Sequence, residues 1–242
     1  MNQTEEFIYS GMSFDYKNWK DIEKKMSSQE GMLYILGDTK FRFEKKEYDV
    51  TYPSKEHVTL GGETPKYEEL SITHDYKEGF PEVTHPARGS AETVISLVNA
   101  DAIDTALILS DLQGEGLRPA LLNMAAPTNP GGKYNIGEKA QEEMIFYRSN
   151  MWAYLDPKGT SGLGGGVGKF PHYPLPDIGG LHTPGVTFIR GSEADKFKLI
   201  KPRSVDIVSV AAIKSPKLVN GEYSPSDRER MFNKIRTILT IA

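Results

Sequence analysis

From residue 93 onward, short apolar runs alternate with stretches whose apolar residues recur at helical spacing. That alternation constrains the fold of this chain more than any other feature. Strands separated by helix-length segments come together in a sheet that helices cover on both faces. The run 93–98 predicts a strand, and 101–112 predicts a helix with Asp101 as cap and Ile103, Ala106 and Leu107 inward. Strands are expected at 120–124, 186–190 and 205–212, with a helix inside 137–150. Ser224 or Ser226 opens a last helix with Met231, Ile235 and Ile238 or Leu239 on one face.

Residues 1–90 read as an α+β appendage, a helix plus a hairpin, and 91–242 as the core. Phe14, Trp19, Ile22 and Met26 predict a helix over 13–27, capped by Ser13 or Asp15. Strands are expected at 32–36 and 40–52. A Gly-Asp-Thr turn separates them, and Phe41 and Phe43 alternate with Lys40 and Arg42. From 52 to 88 the chain is polar, with one or two short strands.

The charge is slightly acidic: 29 Lys+Arg against 33 Asp+Glu, 29 − 33 = −4. No basic block offers a footprint for duplex nucleic acid, so direct duplex binding is not expected. The chain has no cysteine. Disulfides, thiol nucleophiles and Cys-ligated metals are thereby excluded. No apolar run approaches the ~20 residues of a membrane helix, and residues 1–6 show no signal-peptide pattern. A cytoplasmic protein, or a nuclear one in a eukaryote, is expected.

The segment 121–150 carries the chemistry. A strand ends near Met124, a Pro-Gly-Gly turn follows at 130–132, and a helix is expected to start near Gly137 or Glu138. Glycines let the backbone approach a ligand and present its amides, and a helix start adds free N–H groups. Glu143 shares a helical face with Ala140 and Tyr147, at the edge of the apolar stripe. A carboxyl held against apolar surroundings has its pKa raised and suits a general acid. Glu142 points elsewhere and is placed to accept from sugar hydroxyls.

Asn123, Asn-Pro-Gly-Gly at 129–132, Gln-Glu-Glu at 141–143 and Arg-Ser-Asn at 148–150 together resemble the microbial-type poly(ADP-ribose) glycohydrolases of the macrodomain superfamily. The resemblance extends through 173–190, the strand near 206–212 and the last helix with Met231 and Ile235. It implies an α/β fold, a macrodomain-like mixed sheet between helices. It also implies hydrolysis of ribose–ribose O-glycosidic bonds without cofactor or metal, and ADP-ribose or its polymer as ligand. Glu143 matches the catalytic acid, and Glu142 the carboxylate that holds ribose hydroxyls. Gly131 and Gly132 match the loop packed on ribose and diphosphate, and Asn123 the ribose-contacting asparagine. Asn129, Lys133 and Gln141 complete the substrate-binding candidates.

The sequence departs from the pattern twice. Lys133 stands where the signature has its third glycine. The family also continues past the last helix with a buried strand and a Gly-rich, Phe-bearing loop, whereas this sequence stops at Ala242. A missing C-terminal segment, a partner chain or the 32–36 or 40–52 strand could complete the sheet. A non-catalytic ADP-ribose reader and a partner-dependent protein with a vestigial site are the alternative readings.

The Gly-rich stretch 161–170 fails as a P-loop, with Leu163 where the first glycine belongs and Phe170 where Mg²⁺ needs a hydroxyl. It reads as an insertion over the site. The five histidines lack ligand spacing; His172 and His182 flank the Pro-rich loop beside the cleft. Phe146, Tyr147 and Trp152 read as core or cleft wall, and Tyr173 as a ligand-contacting aromatic.

Overall fold

The computed structural model describes residues 27–50, 55–61, 66–82, 94–112, 119–163 and 170–242. All but residue 27 of the helix expected over 13–27 lies outside them. Helix α1 (Gln29–Lys45) starts where the Ser28 side chain accepts from the Gly31 amide at 3.2 Å. It buries Met32, Ile35, Leu36 and Thr39, one stripe of helical period. This corrects the strands expected at 32–36 and 40–52. A short apolar run fits either period, and the presumed turn lies inside the helix. There Asp38 pairs with Arg42 at 3.0 Å, and the Thr39 hydroxyl lies 2.8 Å from the Ile35 and Tyr147 carbonyls. The hairpin that does form is later. Strand β1 (Glu47–Val50) pairs antiparallel with β2 (Glu56–Thr59) in a sheet of its own. Among the described residues, neither 32–36 nor 40–50 completes the main sheet.

The chain continues through α2 (Tyr67–Leu70), β3 (Ile72–Asp75), α3 (Ala102–Leu112) and β4 (Ala120–Met124). Then come α4 (Gln141–Arg148), α5 (Met151–Leu155), β5 (Gly179–Arg190), β6 (Leu199–Val210), the short β7 (Leu218–Val219) and β8 (Glu222–Tyr223), and α6 (Pro225–Ile241). The main sheet runs β3-β5-β6-β4, with β4 parallel to β6 and the other pairs antiparallel. It is a mixed sheet flanked by helices.

Helix α3 forms as its pattern predicts: the Asp101 carboxylate accepts from the Asp104 amide at 2.8 Å, and Ile103, Ala106 and Leu107 are buried. Ser224 caps α6 through the Asp227 amide at 3.3 Å, with Pro225 in the first turn. Three expectations need correction. Residues 94–99 form no strand, and Val94, Ile95 and Leu97 are exposed. Among the described residues β4 has a ladder with β6 alone, so the apolar run at 94–98 pairs with nothing. Helix α4 starts at Gln141, because Gly137, at φ 83°, is left-handed and ends a 3₁₀ turn, Tyr134–Ile136. On α6, Ile235 and Leu239 are exposed while Lys234 and Thr237 are buried. The Lys234 stem snorkels, and its ammonium donates to the Asp177 carbonyl at 2.6 Å.

Alternation along the strands sorts the two faces. Leu121 and Asn123 lie opposite Ile207 and Ser209 on one face. On the other, a Cβ at Gly180 would meet Val210 and Ile241 of α6. One core cluster joins Met32 and Ile35 of α1 to Leu107, Leu121, Ile145, Phe188 and Ile207. With β3 in the main sheet beside β5, this packing includes residues from both sides of position 90.

Two buried arginines tie the helices down. Arg148 donates to the Arg190 carbonyl at 3.2 Å and pairs with Asp101 and Asp104 of the α3 start. Arg190 bonds the Thr39 hydroxyl at 2.7 Å and the Phe197 carbonyl at 2.9 Å, and pairs with Asp38. Removing one partner leaves a buried charge uncompensated. Asp38→Ala is expected to cost about 3–5 kcal/mol, a Tm loss on the order of 10 °C in a thermal melt. An unchanged Tm would remove this pair from the fold's support.

Candidate active site

Strands β4 and β6 end side by side, and the carboxyl ends of parallel strands are where such sheets hold ligands. Asn123 is fully buried there, donating to Ser209 Oγ at 3.0 Å and to Glu142 Oε1 at 3.5 Å. Gln141, first in α4, fastens that helix to the strand. Its amide nitrogen donates to the Leu122 carbonyl at 2.7 Å, and its oxygen accepts from the Met124 amide at 3.0 Å. Both polar ends of Gln141 are thereby held by the main chain, so it positions α4.

The turn at 129–133 folds back onto α4. The Gly132 amide donates to the Asn129 carbonyl at 3.0 Å. The Gly131 amide donates to Glu142 Oε1 at 3.0 Å, and the Lys133 amide to Glu143 Oε1 at 3.1 Å. The amides expected to face a ligand therefore face the two carboxyl groups. Gly131 and Gly132 have φ of 70° and 57°, and neither has room for a Cβ. At Gly131 it would sit 2.7 Å from the Phe146 ring, and at Gly132 it would meet Glu143 Oε1. Glycine is required here both by sterics and by backbone conformation. Lys133, by contrast, has φ −119°, which any residue adopts, so the third position tolerates a side chain.

Glu142 and Glu143 occupy the first turn of α4, and both are buried, a placement the helix dipole favours. Glu142 is held on both oxygens, since Oε2 also accepts from the Ala126 amide at 2.8 Å. Burial pushes the Glu142 carboxyl up to about 7. The Ala126, Gly131 and Asn123 donors oppose the shift, and the Glu143 charge adds to it. Glu143 sits 7 % exposed against the turn. Its Oε1 is engaged by Lys133, and its Oε2 has no hydrogen bond among the described residues.

A second layer under the turn has no motif to announce it. The buried Asp156 carboxylate accepts from the Tyr134 hydroxyl at 2.9 Å and the Ser161 and Thr160 amides at 2.9 and 3.0 Å. Asn135 donates to it at 3.3 Å and to the Ser161 carbonyl at 3.0 Å. Residues 160–162 are thereby pressed onto the turn, and a Cβ at Gly162 would sit 3.0 Å from the Gly132 carbonyl oxygen. The Lys40 ammonium lies 5.6 and 5.2 Å from the Tyr134 and Trp152 ring centroids. Burial lowers its pKa, while the Asp156 charge opposes that. Tyr134 and Asp156 lie 22 positions apart, beyond what residue spacing reveals.

Phe146 and Tyr147 are fully buried core, and Trp152 is half-buried. Arg148, Ser149 and Asn150 lie beside the site as a clamp: the Thr187 amide donates to Asn150 Oδ1 at 2.8 Å, and Ser149 bridges to Phe188. Among the described residues no group of three His, Asp or Glu side chains is arranged to hold a metal ion, and no helix is long and apolar enough to cross a membrane.

Two buried carboxyl groups thus stand at a helix start, under a glycine turn at the end of a mixed sheet. Residues 42–162 match the family model of the microbial-type PARG catalytic domain. The chain belongs to that family of glycosidase-like enzymes. Its fold is similar to the crystal structure of poly(ADP-ribose) glycohydrolase (PARG) from Thermomonospora curvata, with a TM-score of 0.65 and 19% identity over 87% of this chain and 74% of that one. The structure of poly(ADP-ribose) glycohydrolase from the same organism bound to the inhibitor ADP-HPD gives a TM-score of 0.62 and 18% identity over the same shares, 87% and 74%. No curated protein matches the chain.

Two measurements check this geometry. Gly132→Ala is expected to cost about 1–3 kcal/mol, read as a lower denaturation midpoint; an unchanged midpoint would mean that the turn does not press on Glu143. Glu142, raised from 4.5 to about 7, binds its proton more tightly in the folded chain than in the unfolded one. Its contribution to stability is therefore greatest below pH 4.5 and is lost as pH rises through 7, by about 3 kcal/mol in all. A carboxyl ¹³C titration is expected to give Glu142 a midpoint near 7; a midpoint near 4.5 would contradict its burial.

Proposed function

We propose that the chain hydrolyses the ribose–ribose O-glycosidic bonds of poly(ADP-ribose), with Glu143 as the proton donor. The observation that carries this reading is the unequal engagement of the two carboxyl groups. Glu142 has protein donors on both oxygens, whereas Glu143 keeps Oε2 open while the Lys133 amide fixes Oε1. A carboxyl group oriented by one oxygen can present the other to a leaving group.

In this reading the terminal ribose lies against Gly132 with its hydroxyls toward Asn123 and Glu142. Glu143 protonates the leaving oxygen as the C–O bond opens, and positive charge develops on the ribose ring. The Glu142 carboxyl, close to its midpoint at neutral pH, holds the ribose hydroxyls beside that charge. Water then adds to the anomeric carbon and passes a proton back to Glu143, which restores the acid. The exposed Lys133 side chain puts an ammonium beside the turn, where it would meet the diphosphate. Asn129 supports the turn through its carbonyl. The inhibitor-bound relative supports a ligand of the ADP-ribose class.

The test is release of ADP-ribose from poly(ADP-ribose), followed chromatographically for the parent chain and Glu143→Gln. Release by the parent, reduced roughly 10²–10⁴-fold in the variant, is expected from loss of proton transfer. Equal rates would remove Glu143 from the mechanism. Binding of ADP-ribose without release would replace the enzyme with a reader.

A further inference from the structure

Two polar atoms near Glu142 are out of solvent and have no hydrogen-bond partner among the described residues: Asn123 Oδ1 and the Tyr173 hydroxyl. Buried polar groups are nearly always paired, so an orphan needs an explanation. Asn123 lies on the sheet at the β4 end, and Tyr173 lies on the segment that leads into β5. The Leu175 amide donates to the Pro127 carbonyl at 2.9 Å, which places this segment beside the strand exit whose Ala126 amide holds Glu142. The Glu142 charge acts on the Tyr173 phenol, adding to burial in raising its pKa, so the hydroxyl keeps its proton and remains a donor.

The segment is braced on its other side. His172 has φ 65°, an uncommon conformation for a side-chain-bearing residue, which persists where its surroundings over-determine it. Here both ring nitrogens are tied, Nε2 2.9 Å from the Glu68 carbonyl oxygen and Nδ1 2.9 Å from Thr73 Oγ1. A carbonyl only accepts, so Nε2 carries a proton and donates to Glu68. The sheet and helix α2 thus hold the residue before Tyr173, and the strand exit holds the residue two after it. A buried hydroxyl on a segment held from both sides, with no hydrogen-bond partner among the described residues, is suited to a ligand.

We propose that Tyr173 is a further substrate-contacting residue, its hydroxyl donating to a hydroxyl oxygen of the terminal ribose while Asn123 Oδ1 accepts a hydroxyl proton of the same sugar. The proposal rests on the ADP-ribose reading of the site and extends it to a residue outside the 121–150 segment. His172 is a positioning residue for Tyr173. No covalent step is involved; the phenol acts in binding and orientation.

The test compares Tyr173→Phe with the parent chain in ADP-ribose binding by calorimetry and in thermal melting. Loss of one hydrogen bond from a fixed donor is expected to weaken binding about 10-fold. Because the hydroxyl has no partner among the described residues, the ligand-free melting temperature is expected to stay level or rise. A purely structural tyrosine gives the opposite pattern, a lower melting temperature with unchanged affinity, and that result overturns the proposal. A second arm uses ADP-ribose analogues lacking the 2- or 3-hydroxyl of the terminal ribose. The analogue without the contacted hydroxyl is expected to bind parent and variant equally; a full 10-fold difference with both analogues would contradict the contact. Binding by the parent with an unchanged Tyr173→Phe constant overturns this proposal alone. No binding by the parent overturns the ADP-ribose reading and this proposal with it.

Discussion

The site depends on a buried carboxylate that gathers main-chain donors from two segments. Glu142 accepts from the Ala126 amide just past β4 and from the Gly131 amide in the following turn. Those contacts set the turn against the first turn of α4, and the Lys133 amide then reaches Glu143. Held between the same elements, the two carboxyl groups are engaged differently, Glu142 with donors on both oxygens and Glu143 through Oε1 alone. Burial opposes the charge that the donors stabilise, and the result is a carboxyl poised near 7.

Around this centre the supports are polar, and Asn123 and Asp156 are buried. Gln141 clips α4 to β4, Asn123 leans on Ser209, and Asp156 fixes Tyr134 and the 160–161 backbone beneath the turn. Arg148 and Arg190 hold α3 and α1 onto the same sheet from outside the site. Buried polar networks of this kind set geometry more than they add stability. The turn itself has no room for a side chain at Gly131 or Gly132, so its closeness to Glu143 follows from packing as well as hydrogen bonding.

Much of this was legible in the sequence where the signal is local. Strand β4, the cap and inward face of α3, the Ser224 cap, and the strand–glycine turn–helix order all follow from nearest-neighbour chemistry. The placement of 32–36 as a strand failed because an apolar run of that length fits both periods; the helix is decided by Ser28 and by burial of Ile35 and Thr39 against the core. The run at 94–98 has strand chemistry but no ladder. On α6 a buried lysine stem replaced the apolar stripe. In the site, the Gln-Glu-Glu positions were readable, but the direction of the turn's amides was not. Neither were Asp156 and the orphaned Tyr173 hydroxyl, because these depend on contacts across tens of residues.

The central claim is that the space between the 131–133 turn and Glu143 receives a ribose. A crystal structure of the chain with ADP-ribose bound tests this most directly. The account predicts the terminal ribose packed on Gly132, with its anomeric oxygen within hydrogen-bond distance of Glu143 Oε2. A ribose bound away from that carboxyl, with the turn and Glu143 still in contact, would contradict it.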